Sequence, residues 1–354
     1  MDINNLQREN IKNLRPYSTA RDEYKGQASV FLDANENGFG SPLLQEAEND
    51  SFKNYNRYPD PLQLDLKDAI SKIKGLPIEN TFLGNGSDEA IDLLFRAFCE
   101  PAKDNVIILP PTYGMYEVSA GINNVEVRKV NLLSNFQLDL DGIAEAIDEN
   151  TKLIFICSPN NPTGNSIVRT DIETVLTNFK GLVIIDEAYI NYAKQRSFIK
   201  ELTEYPNLVV LQTFSKAWGL AALRLGMAFA GRPVIDILNK VKPPYNINQA
   251  TQDIALKALQ NIETVNDWIK ITVAQRTQLS ADLMALPAVK KVYPSDANFI
   301  LVEIDEALNT YNALVEKGII VRDRSKVTLC EGCLRITIGT PEENKTLLET
   351  LKTL

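Results

Sequence analysis

Apolar residues along the middle of this chain fall in short, almost unbroken runs. The segments "NVIILPP" (105–111), "KLIFICSP" (152–159), "GLVIIDEAY" (181–189), "NLVVLQTFSK" (207–216) and "RLGMAFAG" (224–231) lack the alternation of a half-exposed strand. Such runs predict strands covered on both faces. Between them, "GSDEAIDLLFRAF" (86–98) and "RTDIETVLTNF" (169–179) have helical spacing. Strand, helix and strand in series predict an α/β fold with a mostly parallel sheet flanked by helices. From about Gln249 to Leu286 the pattern turns long and helical. Then "AVKKVYPSDANFILVEI" (288–304) reads as two strands joined by a turn, and "EALNTYNALVEKG" (306–318) as a helix ending in glycine. "IIVRDR" (319–324) and "CLRITIGT" (333–340) read as strands, and "PEENKTLLETLKTL" (341–354) as a terminal helix. The chain thus divides into a polar N-terminal arm (1–30), a large domain (31–248) and a smaller C-terminal α/β domain (249–354). The arm is expected to pack on the small domain or on a neighbouring subunit.

Composition narrows the function classes. A length of 354 residues suits about two domains. The formal charge is −9 with no basic block, which disfavours nucleic acid and anionic membrane as partners. "MDINNLQRENIKNL" carries charges and no apolar core of a signal segment. No run approaches the ~20 apolar residues that span a bilayer. A cytoplasmic location is the expectation. Four cysteines stand at 99, 157, 330 and 333, and only the last two form a close pair. A zinc site wants four ligands, so no metal is expected. The chain has no histidine, so proton transfer falls to Lys, Tyr, Asp or Glu.

The ends of the predicted strands carry the unusual residues. In open parallel sheets, ligands bind beyond the carboxyl ends of the strands. There the chain places Tyr113, Asn161, Asp186, Tyr189 and Lys216. Each alone has a plain reading: Asn161 as a turn residue, Asp186 as a cap, the tyrosines as packing. Four successive strand ends together point to a ligand. Lys216 lies among apolar neighbours, and desolvation lowers an amine's pKa as a Schiff-base lysine requires. Asp186 can keep a ring nitrogen protonated, Asn161 and Tyr189 can bond a phenolate oxygen, and Tyr113 can stack on a ring. Gly86, Ser87 and Asp88 open a helix, a ready anion site, and Ser215 and Arg224 flank the lysine.

The motifs "SPNNPTG" (158–164), "DEAY" (186–189) and "TFSKAWGLAALRLG" (213–226) resemble those of fold-type I pyridoxal-phosphate aminotransferases, over nearly the whole chain. Within that superfamily, "LRPY" (14–17), "LDANENGFG" (32–40), "NRYPDP" (56–61), "GNGSDEAIDLL" (84–94), "GIIVRDR" (318–324) and "LRITIGT" (334–340) are similar to the histidinol-phosphate aminotransferase family. Gly38 stands where that family often has proline. The resemblance implies pyridoxal 5′-phosphate as cofactor, a Lys216 aldimine, and Asp186 and Tyr189 in catalysis. It implies transamination of histidinol phosphate with 2-oxoglutarate, giving imidazole-acetol phosphate and glutamate in histidine biosynthesis. It implies a homodimer in which Tyr58 reaches the neighbouring subunit's cofactor phosphate. Arg335 would take the substrate's anionic end, with Arg322, Tyr17 and Tyr245 shaping the pocket. The alternatives are an aromatic aminotransferase, a threonine-phosphate decarboxylase, or a non-catalytic regulator on the same fold. Against the regulator, the motifs start near residue 14, leaving no room for a DNA-binding segment, and Lys216 is retained.

Overall fold

The computed structural model describes residues 3–12 and 55–354. Tyr17, "LRPY" and "LDANENGFG" lie outside the described residues, as does most of the predicted arm.

Seven strands form the larger sheet. They are β1 (Thr81–Asn85), β2 (Asn105–Ile108), β3 (Glu126–Lys129), β4 (Thr151–Cys157), β5 (Leu182–Asp186), β6 (Leu208–Thr213) and β7 (Leu225–Ala230). Their order is β1-β7-β6-β5-β4-β2-β3. The five strands from β3 to β6 run parallel, while β7 lies antiparallel to both β6 and β1. All five apolar runs are strands. β1 and β3 had no such run. β1 is short and interrupted by Gly84, and β3 reads Glu-Val-Arg-Lys on a part-exposed edge.

Burial explains the unbroken runs. Alternate residues of the same strands enter different cores: Ile154, Ile185 and Val210 in one, Phe155, Ile184 and Val209 in the other. A strand buried on both faces gains nothing from a polar position. The helix Gly86–Phe98 covers the second face with Leu94, Phe95 and Phe98. Its first turn comes directly off β1, at the end of the sheet where β5 and β6 finish.

The second sheet is antiparallel, in the order β10-β11-β9-β8. Its strands are β8 (Val289–Val292), β9 (Phe299–Ile304), β10 (Arg322–Asp323) and β11 (Cys333–Thr337). It has its own core of Ile300, Val302, Leu334 and Ile336, with Leu283 and Leu347 from helices. "IIVRDR" supplies only two paired residues, because Ile319 to Val321 precede the ladder. The long helical stretch is two helices, Gln249–Leu259 and Ile262–Met284. Ala255, Leu259 and Val265 join a core of the larger sheet. The last helix, Pro341–Leu351, starts on a capping box. Thr340 Oγ1 accepts from Glu343 N at 3.2 Å, and Glu343 Oε2 accepts from Thr340 N at 2.8 Å.

Candidate active site

A cavity of about 160 Å³ opens at the carboxyl ends of the central strands. β5 delivers Asp186 and then Tyr189; the segment after β6 delivers Ser215 and Lys216. The turn after β4 brings Asn161, and the segment after β2 brings Tyr113. Gly86, Ser87, Asp88 and Arg224 close the opposite wall. These residues, spread over 139 positions from Gly86 to Arg224, line one cavity because the parallel strands end, and antiparallel β7 begins, on one side of the sheet.

Electrostatics mark two of them. The Lys216 amine lies 5.5 Å from the Tyr189 ring centre. Burial lowers its pKa, the Arg335 guanidinium lowers it further, and Asp186 opposes both. More of the amine is therefore neutral near pH 7 than on a free lysine. Asp186 is only 3% exposed, and burial raises its pKa. Two donors oppose that: Tyr116 Oη at 2.7 Å from Oδ2, and Ala188 N at 3.0 Å from Oδ1. Tyr113 and Tyr189 are pushed up by burial and stay protonated donors.

The far wall is an anion cradle. Gly86 has φ +72°, and its N–H donates to Arg224 O at 2.7 Å. A Cβ on Gly86 would sit 2.7 Å from Arg224 Nη2, so the bare backbone lets the guanidinium lie against the helix start. Gly226 allows a second close approach: a Cβ there would meet Gly86 C and Ser87 N at 2.2 Å. Arg224 Nη2 stands 3.6 Å from Asp88 Oδ2, and Tyr113 Oη donates to Asp88 Oδ1 at 3.1 Å. Thr213 Oγ1 accepts from Ser215 N at 3.0 Å and fixes the turn that presents Ser215 and Lys216. Helix-start amides, two hydroxyls and a guanidinium fit a phosphate. A buried carboxylate and a depressed amine on the same cavity fit a basic ring bearing a carbonyl. The donor set therefore fits pyridoxal phosphate.

Of the second sheet's arginines, Arg335 lies near enough to act on Lys216, though neither it nor Arg322 lines the cavity. Arg335 on β11 donates from Nη1 to Asn161 Oδ1 at 2.5 Å. Its Cζ lies 5.1 Å from the Phe299 ring centre, and its Nε is buried with no hydrogen-bond partner among the described residues. Arg322 faces Arg335 across the β10–β11 ladder and is exposed. Tyr58 and Tyr245 do not line the cavity. Tyr58 is 49% exposed and stacks on Tyr245, with centroids 4.4 Å apart and planes at 15°.

Sequence reasoning missed Tyr116, Cys157, Thr213 and the small Ala188 and Ala221, which line or support the cavity. Tyr116 sits three residues after Tyr113 within "PTYGMYEV", a spacing that could have flagged it. Glu187 of "DEAY" turns away from the cavity: it is buried and accepts from Phe198 N at 2.7 Å and Gln212 Nε2 at 2.9 Å. Among the described residues no group of three His, Cys, Asp or Glu is placed to hold a metal. Cys330 and Cys333 are buried free thiols, each pushed up to about 12 by burial.

The fold and the site define an aminotransferase of fold type I. Residues 29–351 match the family model described as aminotransferase class I and II. Histidinol-phosphate aminotransferase of Cytophaga hutchinsonii is 54% identical over 351 residues, 99% of each chain. The same-named protein of Bacteroides thetaiotaomicron is also 54% identical, over 99% of this chain and 98% of its own. The crystal structure of the histidinol-phosphate aminotransferase from Clostridium acetobutylicum superposes with a TM-score of 0.79 at 25% identity, covering 86% of this chain and 92% of that one. The Sinorhizobium meliloti enzyme, solved in complex with pyridoxal-5′-phosphate, superposes with a TM-score of 0.78 at 23% identity, covering 90% and 89%. The chain belongs to the histidinol-phosphate aminotransferase family.

Proposed function

We propose that this protein is a pyridoxal-phosphate enzyme that moves the amino group of histidinol phosphate to 2-oxoglutarate in histidine biosynthesis. The observation that carries the reading is one cavity shared by a depressed-pKa lysine, a buried carboxylate and a helix-start phosphate cradle. Gly86, Ser87, Ser215 and Arg224 would hold the cofactor's phosphate, Tyr113 would serve its ring, and Asn161 and Tyr189 would serve its ring oxygen. Bound there, the cofactor supplies an aldehyde that condenses with amines and a ring that accepts electron density.

The chain's own groups do the rest. Lys216 Nζ, whose hold on a proton is weakened by burial and by Arg335, would take the proton from the substrate's Cα and deliver it to the carbon that was the cofactor's aldehyde. As an anion, Asp186 would hold the proton on the ring nitrogen; Tyr116 and Ala188 favour that charge against the burial that opposes it. Arg335 and Arg322 would grip the anionic end of the substrate. Arg335 also braces Asn161, so the substrate arginine and the cofactor amide share one hydrogen bond.

Assembly belongs to the same reading: a homodimer in which Tyr58 reaches across to the other subunit's phosphate. Among the described residues no helix is long and apolar enough to cross a membrane. A decarboxylase reading has less behind it: L-threonine-O-3-phosphate decarboxylase from Porphyromonas gingivalis is 23% identical, a likeness of fold.

Lys216→Ala tests the proposal. With histidinol phosphate and 2-oxoglutarate, the wild-type protein should yield glutamate and imidazole-acetol phosphate without carbon dioxide. The variant should lose nearly all turnover, by about two to four orders of magnitude, the range that removing a general base costs, while circular dichroism stays native. Transamination at the wild-type rate by Lys216→Ala would sink the assignment.

A further inference from the structure

Asp186 is held by two donors, and only one of them is backbone. Ala188 N serves Oδ1, whereas Tyr116 Oη serves Oδ2 at 2.7 Å. Tyr116 is fully buried on the helix Met115–Ile122. Its ring stacks on Phe155 with centroids 4.7 Å apart and planes at 18°, and meets Tyr113 edge-on at 5.5 Å. Packing fixes the ring, so the hydroxyl is aimed before any ligand arrives.

The surroundings give Asp186 little other help. Tyr113 and Tyr116 face it from the segment after β2, Cys157 from β4, Asp88 from the helix Gly86–Phe98, Lys216 from beyond β6, and Tyr189 from its own strand end. Lys216 is the cation that favours its charge, more weakly than either hydrogen bond does, and Asp88 works against it. Burial favours a neutral acid. A neutral Asp186 could not hold a proton on a ring nitrogen by its charge.

We propose that Tyr116 is a positioning residue whose hydroxyl keeps the Asp186 carboxylate ionised and fixed in orientation for the cofactor's ring nitrogen. The inference rests on the pyridoxal-phosphate reading above. Its sign follows from the two opposed influences. The Tyr116 bond stabilises the charged form and lowers the carboxyl pKa; burial raises it. Without the hydroxyl, burial and Asp88 act with less opposition, so ionisation moves to higher pH. Tyr116 itself stays protonated, since burial and Asp186 both push its pKa far up.

The test begins with apoprotein, which needs no cofactor. Aspartate labelled with ¹³C at its carboxyl carbon gives a resonance for Asp186, identified by its loss in Asp186→Asn. Tyr116→Phe removes one hydroxyl from an intact stack. It should raise the Asp186 midpoint by about one pH unit, a tenfold change in ionisation. Phe155→Leu loosens the same stack but keeps the hydroxyl, and should move the midpoint clearly less than Tyr116→Phe does. An identical midpoint in wild type and Tyr116→Phe overturns the inference, as does an equal shift in Phe155→Leu. In the loaded enzyme, Tyr116→Phe should move the acid limb of kcat upward with KM for histidinol phosphate nearly unchanged; a uniform loss at every pH overturns it. Failure of the cofactor reading shows separately: apoprotein whose midpoint moves as expected, yet which takes up no pyridoxal phosphate.

Discussion

At the scale of single residues, Arg335 joins two tasks. Its Nη1 braces Asn161, and its Nε is buried without a partner. A buried unpaired donor is costly, and an incoming anion relieves that cost. Histidinol phosphate offers a phosphate and glutamate a carboxylate, and a planar guanidinium can fork onto either. Arg335→Leu should therefore lower kcat/KM at least tenfold in each half-reaction, from roughly 1.5–3 kcal/mol per charge-assisted bond. Arg335→Lys should recover only part, because an ammonium cannot copy the fork. Arg322 is exposed and further out, so Arg322→Leu should hurt histidinol phosphate more than glutamate. Following the cofactor's absorbance separates the halves; a loss confined to glutamate would end the idea of a shared anchor. Lys216, Asp186 and Asn161 were legible in the sequence because strand ends expose chemistry in fixed motifs. Tyr116 was not, because an aromatic residue in a helix reads as core until its hydroxyl is seen pointing at a carboxylate.

At the scale of elements, the cofactor cradle depends on how closely β7 approaches the start of the helix Gly86–Phe98. Gly226 makes that contact possible, since a Cβ would fall 2.2 Å from two backbone atoms that cannot rotate away. Gly226→Ala must push the strand and the helix start apart. Overpacking of this kind costs about 1–3 kcal/mol, so the melting temperature should fall by about 1–4 °C in a chain of 354 residues. Affinity for pyridoxal phosphate should fall at least tenfold, because the helix amides, Ser87 and Arg224 lose their common focus. Gly121→Ala is the control: it sits in the helix Met115–Ile122 with nothing within 4 Å of a new Cβ. It should leave cofactor binding alone. Equal cofactor affinity in wild type and Gly226→Ala, by titration, would show that the close approach is not what builds the cradle. The same contact shows why β1 escaped sequence reading. Thr81–Asn85 has one interrupting glycine, and what makes it a strand is pairing with β7, a partner 140 residues away. β10 went the other way: "IIVRDR" has strand-like residues, yet β11 offers it a ladder only at Arg322 and Asp323.

At the scale of the whole molecule, the position of Tyr58 bears on assembly. Half-exposed and stacked on Tyr245, it does not line the cavity of its own subunit. On the proposed homodimer reading, Tyr58 serves the other subunit's cofactor phosphate, and each site would be the joint product of two chains. Tyr58→Ala and Lys216→Ala then damage different halves of one site. In a mixed dimer, one site carries both lesions and the other carries neither. If subunits exchange at random, half the dimers are mixed and each has one sound site, so activity should return to roughly a quarter of wild type. The experiment is to unfold the two variants together, refold them, confirm mixed dimers with distinguishable tags, and assay glutamate formation. It requires Tyr58→Ala to be weak alone, which a phosphate contact of about 1.5–3 kcal/mol makes the expectation, as a rise in the cofactor's dissociation constant. Assays at limiting pyridoxal phosphate expose that weakness. Confirmed mixed dimers with no more activity than the parents would place Tyr58 at its own subunit's site and remove the reason for a shared one.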